Sequence, residues 1–255
     1  MAKPKSVLTL LQKNLPRGMQ FDPMVWEYLT WLETDWGVQR FRSSGDPFLP
    51  ALPVNDLKRM ESHLAVHPMP QVVDRWFTPP RKPRTKLGKV LRFTGVTHAK
   101  RQPIYPFIRS SASGSVIAMW QQPDEPLRYV LMGSEGEAYT LAEHPLAFLA
   151  ILALGYEEID ARSFLEFRPG LMLDHPAVVA ARGWLVDRFD IKFPVTAAAA
   201  LPYSSDNDPF TRHVMRANGV YIEFEEVALQ PDPPSELQGP DDQDHGDGNT
   251  DHDHL

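Results

Sequence analysis

The sequence predicts an α+β fold, with an antiparallel sheet built as a meander and packed against helices. Three observations carry this. Residues 115–141 contain three short runs rich in β-branched or aromatic residues, "SVIAMW" (115–120), "LRYVLM" (127–132) and "EAYTL" (137–141). The turn sequences "QQPDEP" and "GSEG" separate them at hairpin spacing. The run "LAFLAILAL" that follows is apolar on every side, so a sheet must cover one side of it and helices the others.

The elements follow in order. Residues 1–80 read as a helical segment with proline-rich joints. In "FDPMVWEYLTWLE", Asp22 is placed to cap a helix and Pro23 to occupy its first turn. Val25, Leu29 and Leu32, with Trp26 and Tyr28 beside them, form an apolar face at helical spacing, which reads as a core face. "NDLKRMESHLAV" (55–66) reads as a second short helix with Leu57, Met60 and Leu64 on one side. "PPRKPRTKLGK" is an exposed basic connector. Residues 81–160 hold the sheet and the apolar helix, with "KVLRFTGV" as a further strand. In that helix Pro145 suits the first turn, Glu143 lies where the helix dipole favours negative charge, and Gly155 suits the C′ position. Residues 161–230 form an extension. It contains a helix at 175–189 offering Val178, Val179, Trp184, Leu185 and Phe189 for packing, a short helix at 207–217, and an edge strand "VYIEFEEVAL". Residues 231–255 have almost no apolar side chains and cannot offset their ordering entropy, so they read as a disordered acidic, His-rich tail.

Composition removes whole classes of function. The 255 residues include no cysteine, which excludes disulfides, thiolate catalysis and Cys-based zinc or iron–sulfur sites, and fits a reducing cytoplasm. No apolar run reaches the roughly 18–20 residues of a membrane span, and the N-terminus reads as mature protein rather than a signal peptide. The net charge of −7 comes from the tail, where eight acidic residues meet no Lys or Arg. The remainder has 25 acidic against 26 basic residues and is nearly neutral.

The stretch Gly133-Ser-Glu-Gly136-Glu places glycines between a strand and a second strand. A phosphate cradle needs a helix N-terminus, commonly a Lys, and no nearby carboxylate. Here Glu135 and Glu137 flank the second glycine and no GK[ST] follows. The segment reads as a hairpin turn with glycines at positive φ. In the tail, Asp247, Asn249 and Asp251 share the 1-3-5 spacing of a calcium loop, but His252 stands where that loop needs glycine and the Glu at position 12 is absent. No cofactor and no metal site is expected. His63 and His67 form a lone i, i+4 pair that reads as surface. Arg81, Lys82, Arg84, Lys86, Lys89 and Arg92 lack the interleaved aromatics of single-strand nucleic-acid binders and read as a solvated connector or a contact patch. Gly-x-Ser-x-Gly, His-Glu-x-x-His and Ser-x-x-Lys patterns are absent, and no nucleophile, base and oxyanion site assembles. The reading is a non-enzyme.

The order of segments in "YPFIRSSASGSVIAMW" and "LRYVLMGSEGEAYTLAEHPLAFLAILALGYEEID" resembles the SUKH superfamily, domains similar to the fungal cell-wall-synthesis regulators and abundant in bacteria. The carrying features are the Gly-Ser-Glu-Gly turn, the strand after it, the Phe148-Leu149 pair in the following helix and a closing glycine, Gly155. "ARGWLVDRFDIKFPVTAAAAL" with "DPFTRHV" is similar to the C-terminal extension of some members. The N-terminal Trp and "LP…Y…FL" pattern of many members is not plain here. The resemblance implies a cytoplasmic immunity protein that binds and occludes a cognate toxin or secreted effector, such as a nuclease delivered by type VI or contact-dependent secretion, with no direct nucleic acid or membrane contact. Trp120, Arg128, Glu135, Glu137 and Tyr139 are the partner-binding candidates on the loops and strand ends. The alternative is a non-enzymatic regulatory or scaffold module.

Overall fold

The short apolar runs within residues 104–142 fold as the centre of the sheet. The structure is a computed structural model that describes residues 6–41, 43–53, 64–69, 103–166, 169 and 174–217, all within one unit, Met1–Tyr221. The elements are α1 (Val7–Asn14), α2 (Pro23–Trp31), a wide helical turn (Leu32–Trp36), β1 (Gln39–Arg40), β2 (Pro47–Pro50), β3 (Ala65–Val66), β4 (Ile104–Arg109), β5 (Val116–Trp120), β6 (Arg128–Met132) and β7 (Ala138–Ala142). They are followed by α3 (Pro145–Leu152), α4 (Pro176–Phe189) and α5 (Pro209–Ala217), with short 3₁₀ turns between. The strands pair antiparallel in chain order, β1 to β7.

The meander lies where the hairpin spacing places it. Val116 pairs with Met132 and Trp120 with Arg128, and Met132 pairs with Ala138 across the Gly133–Glu137 turn. Successive side chains leave the sheet on opposite faces. Ile117, Met119, Tyr129, Leu131, Tyr139 and Leu141 enter a large core shared with α1, α2, α3 and α4. Ile104, Val116, Ala118, Trp120, Val130 and Met132 enter a second core, which α5 closes with Phe210 and Val214. The sheet is therefore apolar on both faces.

Proline starts most of the helices. Pro23, Pro145, Pro176 and Pro209 each stand at the head of one, where a missing N–H costs nothing. Asp22 caps α2 by accepting from the Met24 amide at 2.8 Å. Helix α3 is sheathed as its composition requires. Phe148, Leu149, Ala150, Ile151 and Leu152 are all buried between β7, α2 and α4. The Phe148 ring stacks on Tyr129 with centroids 4.0 Å apart. Burying a side chain of this size stabilises by roughly 1.5–3 kcal/mol.

Several expectations change. Residues 1–80 are not purely helical, since they supply β1, β2 and β3 to the same sheet. The helix expected over 55–66 does not reach its end. Ala65 and Val66 pair with Arg109 and Ile108 as a strand, because both flanking positions are covered and extended backbone satisfies them. Residues 54–63 lie outside the described residues. Strand β4 was not anticipated as such, because Pro106 interrupts it; a register shift between Pro106 and Ile108 absorbs the proline. Helix α3 ends at Ala153, two residues before Gly155, whose φ of +98 then turns the chain. Val179 is 52% exposed rather than packed. "KVLRFTGV", the basic connector, "VYIEFEEVAL" and the tail lie outside the described residues.

Candidate functional site

Two hairpin turns and the segment after α3 meet at one end of the sheet. The β4–β5 turn closes through Ser110 N–H to the Ser115 carbonyl at 2.8 Å. Serine hydroxyls then lash it to its neighbours. Ser115 Oγ donates to Asp160 Oδ1 and accepts from the Ser134 amide at 2.8 Å, which joins the β6–β7 turn to the post-helix segment. Ser113 Oγ donates to the other Asp160 oxygen at 3.0 Å. The Ala112 amide donates to Glu158 Oε1 at 2.8 Å, and the Ile159 amide to the Ser110 carbonyl at 2.8 Å. Tyr139 OH donates to the Asp160 carbonyl at 2.7 Å. Ser110, Ser111 and Ser115 are fully buried, while Ala112 and Ser113 are exposed, so the bonds that hold the turns run from the buried sheet end to the surface.

The glycine turn is a hairpin turn. Its first N–H, from Gly133, donates to the Glu137 carbonyl at 2.7 Å, and Gly136 has φ +104. Only Gly136 needs the positive φ. Gly133 is favoured for another reason: a Cβ there would lie 3.2 and 3.3 Å from Glu137 Cβ and its carbonyl oxygen, and 2.7 Å from Glu137 Oε2, which would have to swing away. No helix N-terminus faces the loop.

This end of the molecule displays acid. Glu135 and Glu157 are exposed, and Glu137, Glu158 and Asp160 are half-buried on the same tied loops. Two cations lie in the same segments. Arg109 donates from Nε to the Ser111 carbonyl at 3.2 Å, and Arg162 donates to the Tyr203 carbonyl with its guanidinium 5.9 Å from the Tyr139 ring centroid. The five carboxylates outnumber these two cations, so the local charge favours a basic surface over phosphate.

The remaining sequence candidates are placed elsewhere. Trp120 is 1% exposed and packs on Phe210, centroids 5.1 Å apart, in the second core. Tyr139 is 3% exposed, its hydroxyl spent on Asp160, and burial pushes its ionisation up. Both are packing residues, because the strands that carry them are covered on both faces. Arg128 is consumed internally. It bonds Glu125 and, from Nε at 3.1 Å, Glu143, and sits 5.5 Å from the Trp120 centroid. Burial alone would lower its pKa, but the two carboxylates raise it. Tyr203 OH also bonds Glu143 and, ahead of Arg128, holds that carboxyl below its usual range. The structure thus brings Glu135 and Glu137 together at the hairpin end and separates them from Trp120 and Arg128.

Sequence reasoning missed Asp160, Tyr203 and Asp208, and read Glu143 only for the helix dipole, not for its bonds to Arg128 and Tyr203. Asp208 had a legible signal, the Asp-Pro pair that also starts α2. The Tyr203–Glu143 bond spans 60 residues and had none. Among the described residues no group of three or more His, Asp or Glu side chains is placed to hold a metal, and no helix is long and apolar enough to cross a membrane. Comparison with protein-family models, with curated proteins and with solved structures finds no match to this chain.

Proposed function

We propose that the chain is a non-enzymatic immunity protein that binds a cognate bacterial toxin or secreted effector and occludes it. The observation that carries this is the acidic hairpin end. Glu135 and Glu157 stand exposed on loops that serine hydrogen bonds to Asp160 and to the Ser134 amide tie together. A preorganised anionic surface loses little entropy on docking, and it suits the basic cleft of an enzyme that handles nucleic acid. The SUKH-like order of turn, strand and helix supports the same reading. A nuclease delivered by type VI or contact-dependent secretion is the partner class that fits this charge, acting inside the cytoplasm of the protected cell. The two residues that anchor this reading are Glu135 and Glu157, with Glu137 and Glu158 behind them.

The test is complex formation with the toxin encoded in an adjacent reading frame. Gel filtration of the mixed proteins yields a joint peak, and the toxin's activity falls in proportion to added protein. The binding weakens as salt rises, because exposed charges steer the encounter. Separate elution together with undiminished toxin activity refutes the proposal and leaves the scaffold-module alternative.

A further inference from the structure

Among the described strands β7 is terminal, and its outer edge is covered without a further strand. The segment from Leu201 to Asp208 passes from the first core, against which Leu201 packs, to the second, where Phe210 is buried. On the way it takes hold of the edge with side chains. Asp208, fully buried, accepts the Thr140 amide at 2.7 Å and the Thr140 hydroxyl at 3.1 Å. Its Oδ1 also accepts the Phe210 and Thr211 amides at 2.9 and 3.0 Å, and so caps α5. Thr211 Oγ1 donates to the Ala138 carbonyl, and Tyr203 OH holds Glu143 just beyond the strand. Ala138 C=O and Thr140 N–H lie two residues apart on one edge. They are the groups a further antiparallel strand would take.

We propose that Leu201–Ala217 is a hinged cover over the β7 edge, which opens as one unit while the sheet stays folded. The cover has few anchors. Its nine-residue helix buries only Phe210 and Val214, whereas every residue of β5 is buried. A helix this short does not persist on its own, so the capping carboxylate and the two apolar anchors hold or fail together. Elements with sparse apolar anchoring are the ones that open below the global unfolding free energy. This inference stands apart from the acidic hairpin end, which lies at the turns rather than along the edge.

Amide hydrogen exchange of the full chain, followed residue by residue, tests it. The expected result is that Thr140 and the amides of residues 210–214 share one opening rate constant, at least about 100-fold faster than Ile117–Met119 of β5. Asp208→Asn speeds both sets by about tenfold and β5 by no more than the same factor, because the bonds it loses are absent from the open and from the unfolded state alike. Exchange of Thr140 at the β5 rate overturns the proposal, as does exchange of residues 210–214 without Thr140. The wild-type comparison decides the matter even if the variant does not fold.

Discussion

Replacing Asp208 by alanine removes one carboxylate from four hydrogen bonds, and the loss can be worked from the structure. The helix α5 loses its cap, bonds of 2.9 and 3.0 Å to the Phe210 and Thr211 amides. Such a loss costs about 1 kcal/mol. The Thr140 amide and hydroxyl, in a residue that is fully buried, lose the acceptors they reach at 2.7 and 3.1 Å. Leaving buried donors unpaired costs about 1–3 kcal/mol. Asp208→Ala therefore destabilises by about 2–4 kcal/mol. Urea unfolding followed by tryptophan fluorescence reads this as a fall in the midpoint of about 1 M, at a slope of about 2–3 kcal/mol per molar. Asp208→Asn with its oxygen in the Oδ1 place keeps the cap and the Thr140 hydroxyl but not the Thr140 amide, and falls between. A midpoint shift under about 0.2 M for Asp208→Ala refutes the reasoning, because it would mean that water replaces the carboxylate without loss.

Other perturbations have equally definite outcomes. Gly136→Ala forces a side chain to φ +104 and lowers stability by about 1–2 kcal/mol in the same urea assay, whereas Gly133→Ala acts through its clash with Glu137. His67 is neutral in the fold because burial, and then Arg109, lower its pKa from 6.5 to about 4. Between about pH 6.5 and 4 the unfolded chain holds a proton that the folded chain does not, so stability falls as pH falls through this window, by at most about 3 kcal/mol. A His67→Gln variant whose urea midpoint falls as steeply over that range as the wild type's contradicts this assignment. Trp31 and Trp184 stack with centroids 4.9 Å apart and an interplanar angle of 16°, so Trp184→Phe removes a coupled tryptophan signal from the near-ultraviolet circular dichroism. A spectrum unchanged beyond the loss of one chromophore counts against the stack.

Residue type and turn spacing made the meander legible, and an all-round apolar run made α3 so. "SVIAMW", "LRYVLM" and "EAYTL" are rich in β-branched or aromatic residues between turn residues, and the glycine turn between the last two has too much negative charge and no helix to act as a phosphate loop. The short strands β1 and β3 were not legible, because two residues carry no period. β4 was hidden by Pro106, and the sheet tolerates it only through a shifted register. Exposure was the other failure. Trp120 and Tyr139 belong to residue types that anchor interfaces, but a sheet covered on both faces buries them, and nothing in the local sequence shows that α5 returns to close the second face. The acidic end was half legible. Glu135 and Glu137 stand out beside glycine, whereas Glu158 and Asp160 join them through the Ala112 amide and two serine hydroxyls 45–47 residues distant in the chain, and Glu157 precedes them in the same segment.

The central claim, that the acidic hairpin end blocks a toxin, is tested most directly by survival. Cells induced for the adjacent-frame toxin are counted with the wild-type protein, with Glu135→Lys/Glu157→Lys, and with neither. The account predicts full survival with the wild type and a loss of at least about tenfold with the double charge reversal, whose urea midpoint stays at the wild-type value. Equal killing with and without the wild-type protein contradicts the account, and full protection by the charge-reversed variant removes the acidic end from it.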